Sequence, residues 1–179
     1  MSDPHDAGTI RTSLAGIASL LAPAHPAVAE EVLLAHDSPH DYVSAFGGRL
    51  AERGIDEPVD GLAWTALVDG LSAQGLLAEF DWKEDAQEIR SRLKKLRSRP
   101  SVDPWVLFEA DEMLLATERF LDVCGRRYRE IGAALAVLDI ESDCYPVVGL
   151  RAARAEELTA LAARAGFTVR HLGVGRRRR

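Results

Sequence analysis

Three carboxylates and a thiol stand between two apolar runs in "LAVLDIESDCYPVVGL" (135–150). Asp139, Glu141 and Asp143 alternate, so an extended chain would place them on one face, where they could hold a hard cation or do acid–base work. The competing reading is a turn. Asp and Ser hydrogen-bond local backbone, and Glu141-Ser142-Asp143 would then reverse the chain between two strands and break the shared face. Asp139 follows Leu138 at the end of a buried run, and a buried carboxylate needs a partner. Turn amides, Tyr145 or a nearby arginine would supply one. Pro146 lacks an N–H, which predicts an edge or bulged position for its strand.

Other polar groupings carry less chemistry. His36 and His40 have the i, i+4 spacing of a helical metal pair, but Pro39 lies between them and disfavours helix at Ser38. Cys124 and Cys144 form no CxxC pair, and each is expected to be a small buried residue in a reducing compartment. The chain contains no GxSxG, GxxxxGK[ST], GxGxxG or HExxH. Nothing therefore signals a nucleophile elbow, a phosphate-cradling loop or a zincin helix, and no cofactor or metal is implied. Arg90, Arg92, Lys94, Lys95, Arg97 and Arg99 crowd into ten residues. Glu84, Asp85 and Glu88 precede them, the order the helix dipole favours, so a solvated helix face is the simpler reading. A surface for an acidic protein or for nucleic acid is the alternative. In "FDWKED" (80–85), Phe80 or Trp82 could staple the helix entry. An exposed Trp82 beside Asp81 would instead be a binding anchor.

These residues are positioned by elements that change type along the chain. The first two thirds read as helices over 8–22, 26–36, 39–53, 61–79, 84–97 and 104–123, with Ser38, Asp60 and Asp103 as candidate caps. Gly70 and Gly75 within 61–79 mark close packing or an early stop, and "GRRYRE" (125–130) reads as a polar connection. Then come strands at 133–140 and 144–150, an amphipathic helix at 153–165 ended by Gly166, and a strand at 167–172. The last two strands are expected to be parallel through a crossover. The fold class is α+β: a helical N-terminal layer packed on a small C-terminal sheet in strand-strand-helix-strand order. The chain reads as one compact body with a helical segment at 1–55, an α+β core at 56–172 and a flexible arginine tail at 173–179.

Composition limits the function. At 47% hydrophobic, the 179 residues can bury a sizeable core. No apolar window spans a membrane, and the N-terminus lacks the basic start of a signal peptide, so a cytoplasmic location is expected. The net charge is −6. Residues 1–80 carry 3 basic and 12 acidic side chains, whereas Arg176 to Arg179 form a basic tail. An acidic body does not favour nucleic acid.

The stretches 64–89 and 135–167 together resemble a bacterial family of small proteins catalogued as a domain of unknown function, number 6630. The resemblance rests on Asp81-Trp82-Lys83, Asp139, Ser142, Asp143, Tyr145, Pro146 and the helix ending at Gly166, and it spans 60–172. It implies a bacterial cytoplasmic α+β protein and brings no activity with it. The leading expectation is a non-enzymatic protein-binding module, such as an immunity or inhibitor protein. Its candidate partner contacts are Asp81, Trp82, Asp139, Glu141, Asp143 and Tyr145. The alternatives are a small metal-dependent enzyme using the acidic hairpin, and a weak nucleic-acid binder using the basic helix and tail.

Overall fold

The computed structural model describes residues 4–175, with side chains from Gly8 onward. The arginine tail at 176–179 lies outside the described residues. Among the described residues, seven α-helices and a four-stranded antiparallel sheet make an α+β protein. The chain divides into two compact units. Among the described residues no helix is long and apolar enough to cross a membrane.

The first unit takes the chain up to Gln74 together with Ala160–Phe167. It holds α1 (Pro4–Leu21), α2 (Pro26–Asp37), α3 (Pro39–Ala51) and α4 (Leu62–Ala73). The prolines at 26 and 39 occupy first-turn positions, where a missing N–H costs nothing. The expected caps at Ser38 and Asp60 do not form. Neither Ser38 nor Gly61, which starts α4 with φ +77°, caps through a side chain. Gly70 lets α2 approach α4 closely: an added Cβ would lie 3.4 Å from Val28. Trp64 is fully buried and stacks on Phe167 at 4.6 Å. Asp69, also buried, is held by Arg53 Nε at 2.8 Å, and Arg49 pairs with Glu31 beside it.

The second unit holds the sheet, from Gly75 to Thr159 and from Thr168 on. Gly75, with φ +68°, stops the preceding helix, so 77–79 is not helical as expected. Leu77–Asp81 is instead β1, a fourth strand beyond the three read from the sequence. The others are β2 (Ala133–Leu138), β3 (Cys144–Arg151) and β4 (Val169–His171), in the order β1-β3-β2-β4. β3 and β4 each run antiparallel to β2. They are therefore parallel to each other, as the connection through α7 (Ala155–Arg164) predicts, but β2 lies between them.

One face of the sheet carries Ala78, Phe80, Leu135, Val137, Val147 and Leu172. These pack with Ile89 and Leu93 of α5 (Ala86–Lys95), with Trp105, and with Phe120, Leu121, Cys124 and Tyr128 of α6 (Thr117–Glu130). The first part of the predicted helix over 104–123 is not formed. Its place is taken by two short 3-10 turns, Pro104–Leu107 and Ala110–Leu114, and α6 begins later and runs through "GRRYRE". The reason lies in periodicity. Phe120, Leu121, Cys124 and Tyr128 form one stripe at helical spacing, whereas Val106 and Leu114 point to solvent. Cys124 is a buried thiol, as expected, while Cys144 is half-buried. Burial pushes the Cys124 thiol well above its usual range and leaves it unreactive.

Pro146 sits in an interior strand, against the expectation of an edge. The ladder explains why. Ala152 N–H donates to Gly132 O, so the even-numbered residues of β2 bond toward β3. Pro146 would be the donor to Leu138, one step past the last β2–β3 pair, Val137↔Val147. Toward β1 it faces Glu79 at a position that exchanges no bonds. The proline ends one ladder without interrupting the other.

Two predictions follow from this packing. A Cβ at Gly125 would lie 2.2 Å from the Leu172 carbonyl carbon, and that backbone cannot give way. Gly125→Ala should therefore lower stability by roughly 3 kcal/mol in denaturant unfolding, although Ala favours helix. The second concerns His171, whose Nε2 lies 2.7 Å from Thr159 Oγ1. Burial and the charge of Arg129 hold its pKa below the ordinary value, so the unfolded chain takes up the proton first on acidification. Its contribution is complete above about pH 6.5 and declines as the pH falls below it. Thermal midpoints of the wild type should fall across that window more than those of His171→Gln.

Candidate functional site

The pairing of β1 with β3 sets Asp81 opposite Cys144 and Phe80 opposite Tyr145. The turn after β1 and the loop before β3 therefore leave the same end of the sheet, side by side. β2 finishes and β4 begins at that end too, with Leu138 opposite Val169. The fold thus gathers Asp81, Trp82, Asp139, Glu141, Asp143 and Tyr145, drawn from two stretches some sixty residues apart in sequence.

Both turns are locked by the same device. Asp81 Oδ1 accepts from Lys83 N–H at 2.8 Å, and Asp139 Oδ1 accepts from Glu141 N–H at 2.8 Å. Each aspartate bonds the amide two residues on, the geometry that short acidic side chains favour in turns. Ser142 Oγ accepts from Cys144 N–H at 3.2 Å and completes the second turn. Asp139 N–H donates to Thr168 O and ties the loop to the start of β4. β2 stops at Leu138, so Asp139 lies outside the strand and is exposed rather than buried. Its partner is a turn amide, one of the groups the sequence suggests.

The turn separates the carboxylates. Glu141 has φ +55°, which breaks the extended alternation on which a shared acidic face depends. Among the described residues no group of three or more His, Cys, Asp or Glu side chains is placed to hold a metal ion. His36 and His40 fall on separate helices, α2 and α3, as Pro39 requires. Glu141 and Asp143 are exposed, and no hydrogen bond or ion pair engages their carboxylates among the described residues.

Phe80 and Trp82 divide the roles considered for them. Phe80 is fully buried, with the Arg92 guanidinium 5.0 Å from its ring. Trp82 is 54% exposed, and Lys83 Nζ lies 4.2 Å from the indole centroid, which fixes the ring outside the core. Tyr145 packs half-buried against the core beneath Arg170, whose guanidinium is 5.7 Å from the ring. Arg170 is in turn 3.9 Å from Glu118 and 3.7 Å from Asp122 of α6. Thr117 Oγ1 donates to Glu84 O at 2.8 Å and joins the start of α6 to the Trp82 turn. Through Arg170 and Thr117, α6 is thus joined to the sheet end that carries Trp82. Glu118 and Asp122 were missed in the sequence because α6 was placed differently there.

The basic helix is less available than its sequence suggests. Asp85 caps α5 by accepting from Glu88 N–H at 2.8 Å, as the acidic first turn implies. Arg92 lies 3.9 Å from Glu84, and Arg90 packs over Trp105 at 5.5 Å. Lys94, Lys95, Arg97 and Arg99 are exposed.

The loop yields a stability prediction. A glutamate at positive φ is strained, whereas glycine adopts that conformation freely. Glu141→Gly should raise the thermal midpoint, by no more than about 1 kcal/mol of stability, although it removes a charge.

A protein-family model described as Domain of unknown function (DUF6630) matches residues 13–173, and the chain belongs to that family. The match begins well before residue 60, where the resemblance read from the sequence starts, and takes in most of the N-terminal helices. No curated protein matches the chain, and no solved structure does.

Proposed function

We propose that this DUF6630 protein is a non-enzymatic protein-binding module of the immunity or inhibitor type, acting in the cytoplasm. It captures a basic partner protein at the acidic sheet end, with Trp82 as anchor. One observation carries the reading: Trp82 is exposed at the same end of the sheet as the carboxylates of Glu141 and Asp143, which no described group engages. Trp is enriched among residues that dominate binding energy, and surrounding charge speeds and orients the approach of an opposite partner.

Glu141 supports the same reading. Gly or Asn would occupy its positive-φ position at lower conformational cost. A glutamate there retains a carboxylate at the expense of backbone strain, a pattern associated with functional positions. Asp81 and Asp139 each use one oxygen to lock a turn and leave the other for a donor on the partner. Lys83 on the indole restricts the ring before binding, which reduces the ordering cost of association.

The test is capture of a partner from the native host at low salt, followed by its identification and binding measurements with purified proteins. Trp82→Ala should weaken the complex about 30-fold or more. Glu141→Gln with Asp143→Asn should slow association at low ionic strength, and the difference should vanish in high salt. A partner that is acidic, or a complex indifferent to all three substitutions, would refute the proposal.

A further inference from the structure

We propose that a cavity between the end of α5 and the Pro104–Leu107 turn binds a small organic monoanion, a carboxylate carried on a flat apolar body. The cavity has a volume of about 320 Å³ and is lined by Lys94, Arg99, Pro100, Asp103, Trp105 and Tyr128, among others. That volume lies at the small end of ligand pockets, which start near 300 Å³. The cavity lies wholly within the second unit and involves none of the acidic contact residues.

Its lining divides by chemistry. Pro100, Pro104 and Trp105 form apolar walls. Trp105 itself stacks on Phe108 at 4.5 Å and carries the Arg90 guanidinium at 5.5 Å. Tyr128 is only 2% exposed, yet its hydroxyl makes no hydrogen bond to any other described residue. The hydroxyl is not sealed off from the surface, and without a protein partner it is a donor available to whatever fills the cavity. Burial pushes the phenol pKa above its usual range, which keeps the proton in place for donation.

The cations set the charge of the ligand. Lys94 has no ion pair or hydrogen bond among the described residues. Arg99 makes a single long contact, from Nη1 to Leu96 O at 3.4 Å, and keeps its other donors. Asp103 is the acid in the lining, and its Oδ1 is taken by Trp105 N–H at 3.0 Å. Two cations against one carboxylate leave a single positive charge, which a monoanion balances. A carboxylate would take charge-assisted bonds from Lys94 and Arg99 and a neutral one from Tyr128, with its apolar body against the prolines and Trp105.

Benzoate serves as the probe, with benzyl alcohol and benzamidine as neutral and cationic analogues of similar shape. The Trp105 indole N–H resonance of the full-length protein reports on the cavity. Benzoate should shift it saturably at millimolar concentration, and the two analogues should not. Arg99→Gln or Lys94→Gln should weaken benzoate about tenfold, and Tyr128→Phe about threefold or more. All three substitutions preserve the packing, so loss of folding is not expected to obscure the result. Equal binding of benzyl alcohol would reduce the cavity to an apolar depression. Absence of any saturable shift, or benzoate binding that ignores both cations, would overturn the proposal outright.

Discussion

The antiparallel register between β1 and β3 is the constraint on which the candidate surface depends. With Asp81 opposite Cys144, the two turns must emerge together; a slip of one residue would also turn Phe80 out of the core. The hydrophobic face therefore guards the position of the polar end. Ala78, Phe80 and Val147 are buried against α5 and α6, and that burial fixes where Trp82 and the acidic loop appear. Gly75 contributes by ending a helix early enough for five residues to become a strand.

The acidic loop shows how turn chemistry and surface charge can share the same residues. Asp139 and Asp81 satisfy backbone amides with one oxygen each, a role that would suffice to explain their presence. Glu141 and Asp143 have no such role, and Glu141 is held in a backbone conformation that its side chain does not favour. Structural and unassigned carboxylates thus lie next to one another, and the second kind draws attention to binding. The cavity near Trp105 is similar in kind. There the group without a protein partner is a tyrosine hydroxyl, in a lining that holds two cations and one acid.

Much of the fold was legible because periodicity and punctuation agreed. The run "AALAVL" is a fully buried strand, Gly166 ends α7 with φ +81°, and prolines 26 and 39 begin helices. The misreadings have specific physical causes. Residues 104–116 contain enough apolar side chains to imitate a helix, yet Val106 and Leu114 face solvent while Trp105 is drawn into the core. β1 was hidden because "LLAEF" suits a helix as well as a strand, and only its partner β3 decides between them. Pro146 was read correctly as a lost donor, but its location depended on where the β2 ladder ends.

The sequence alone therefore determined the fold class, most helix boundaries, the turn at 139–143 and the short list of residues for a contact surface. Those features follow from local preferences: helical spacing, proline and glycine at element ends, and aspartate bonding the amide two residues on. Tertiary structure decided what local preference cannot reach. It made β1 a strand, placed Pro146 inside the sheet, brought Trp82 to the same sheet end as Asp139, and gathered Lys94, Arg99 and Tyr128 around one cavity. Each of these depends on pairing or packing between residues distant in the chain, where the apolar area buried by the whole arrangement outweighs the preference of any single segment.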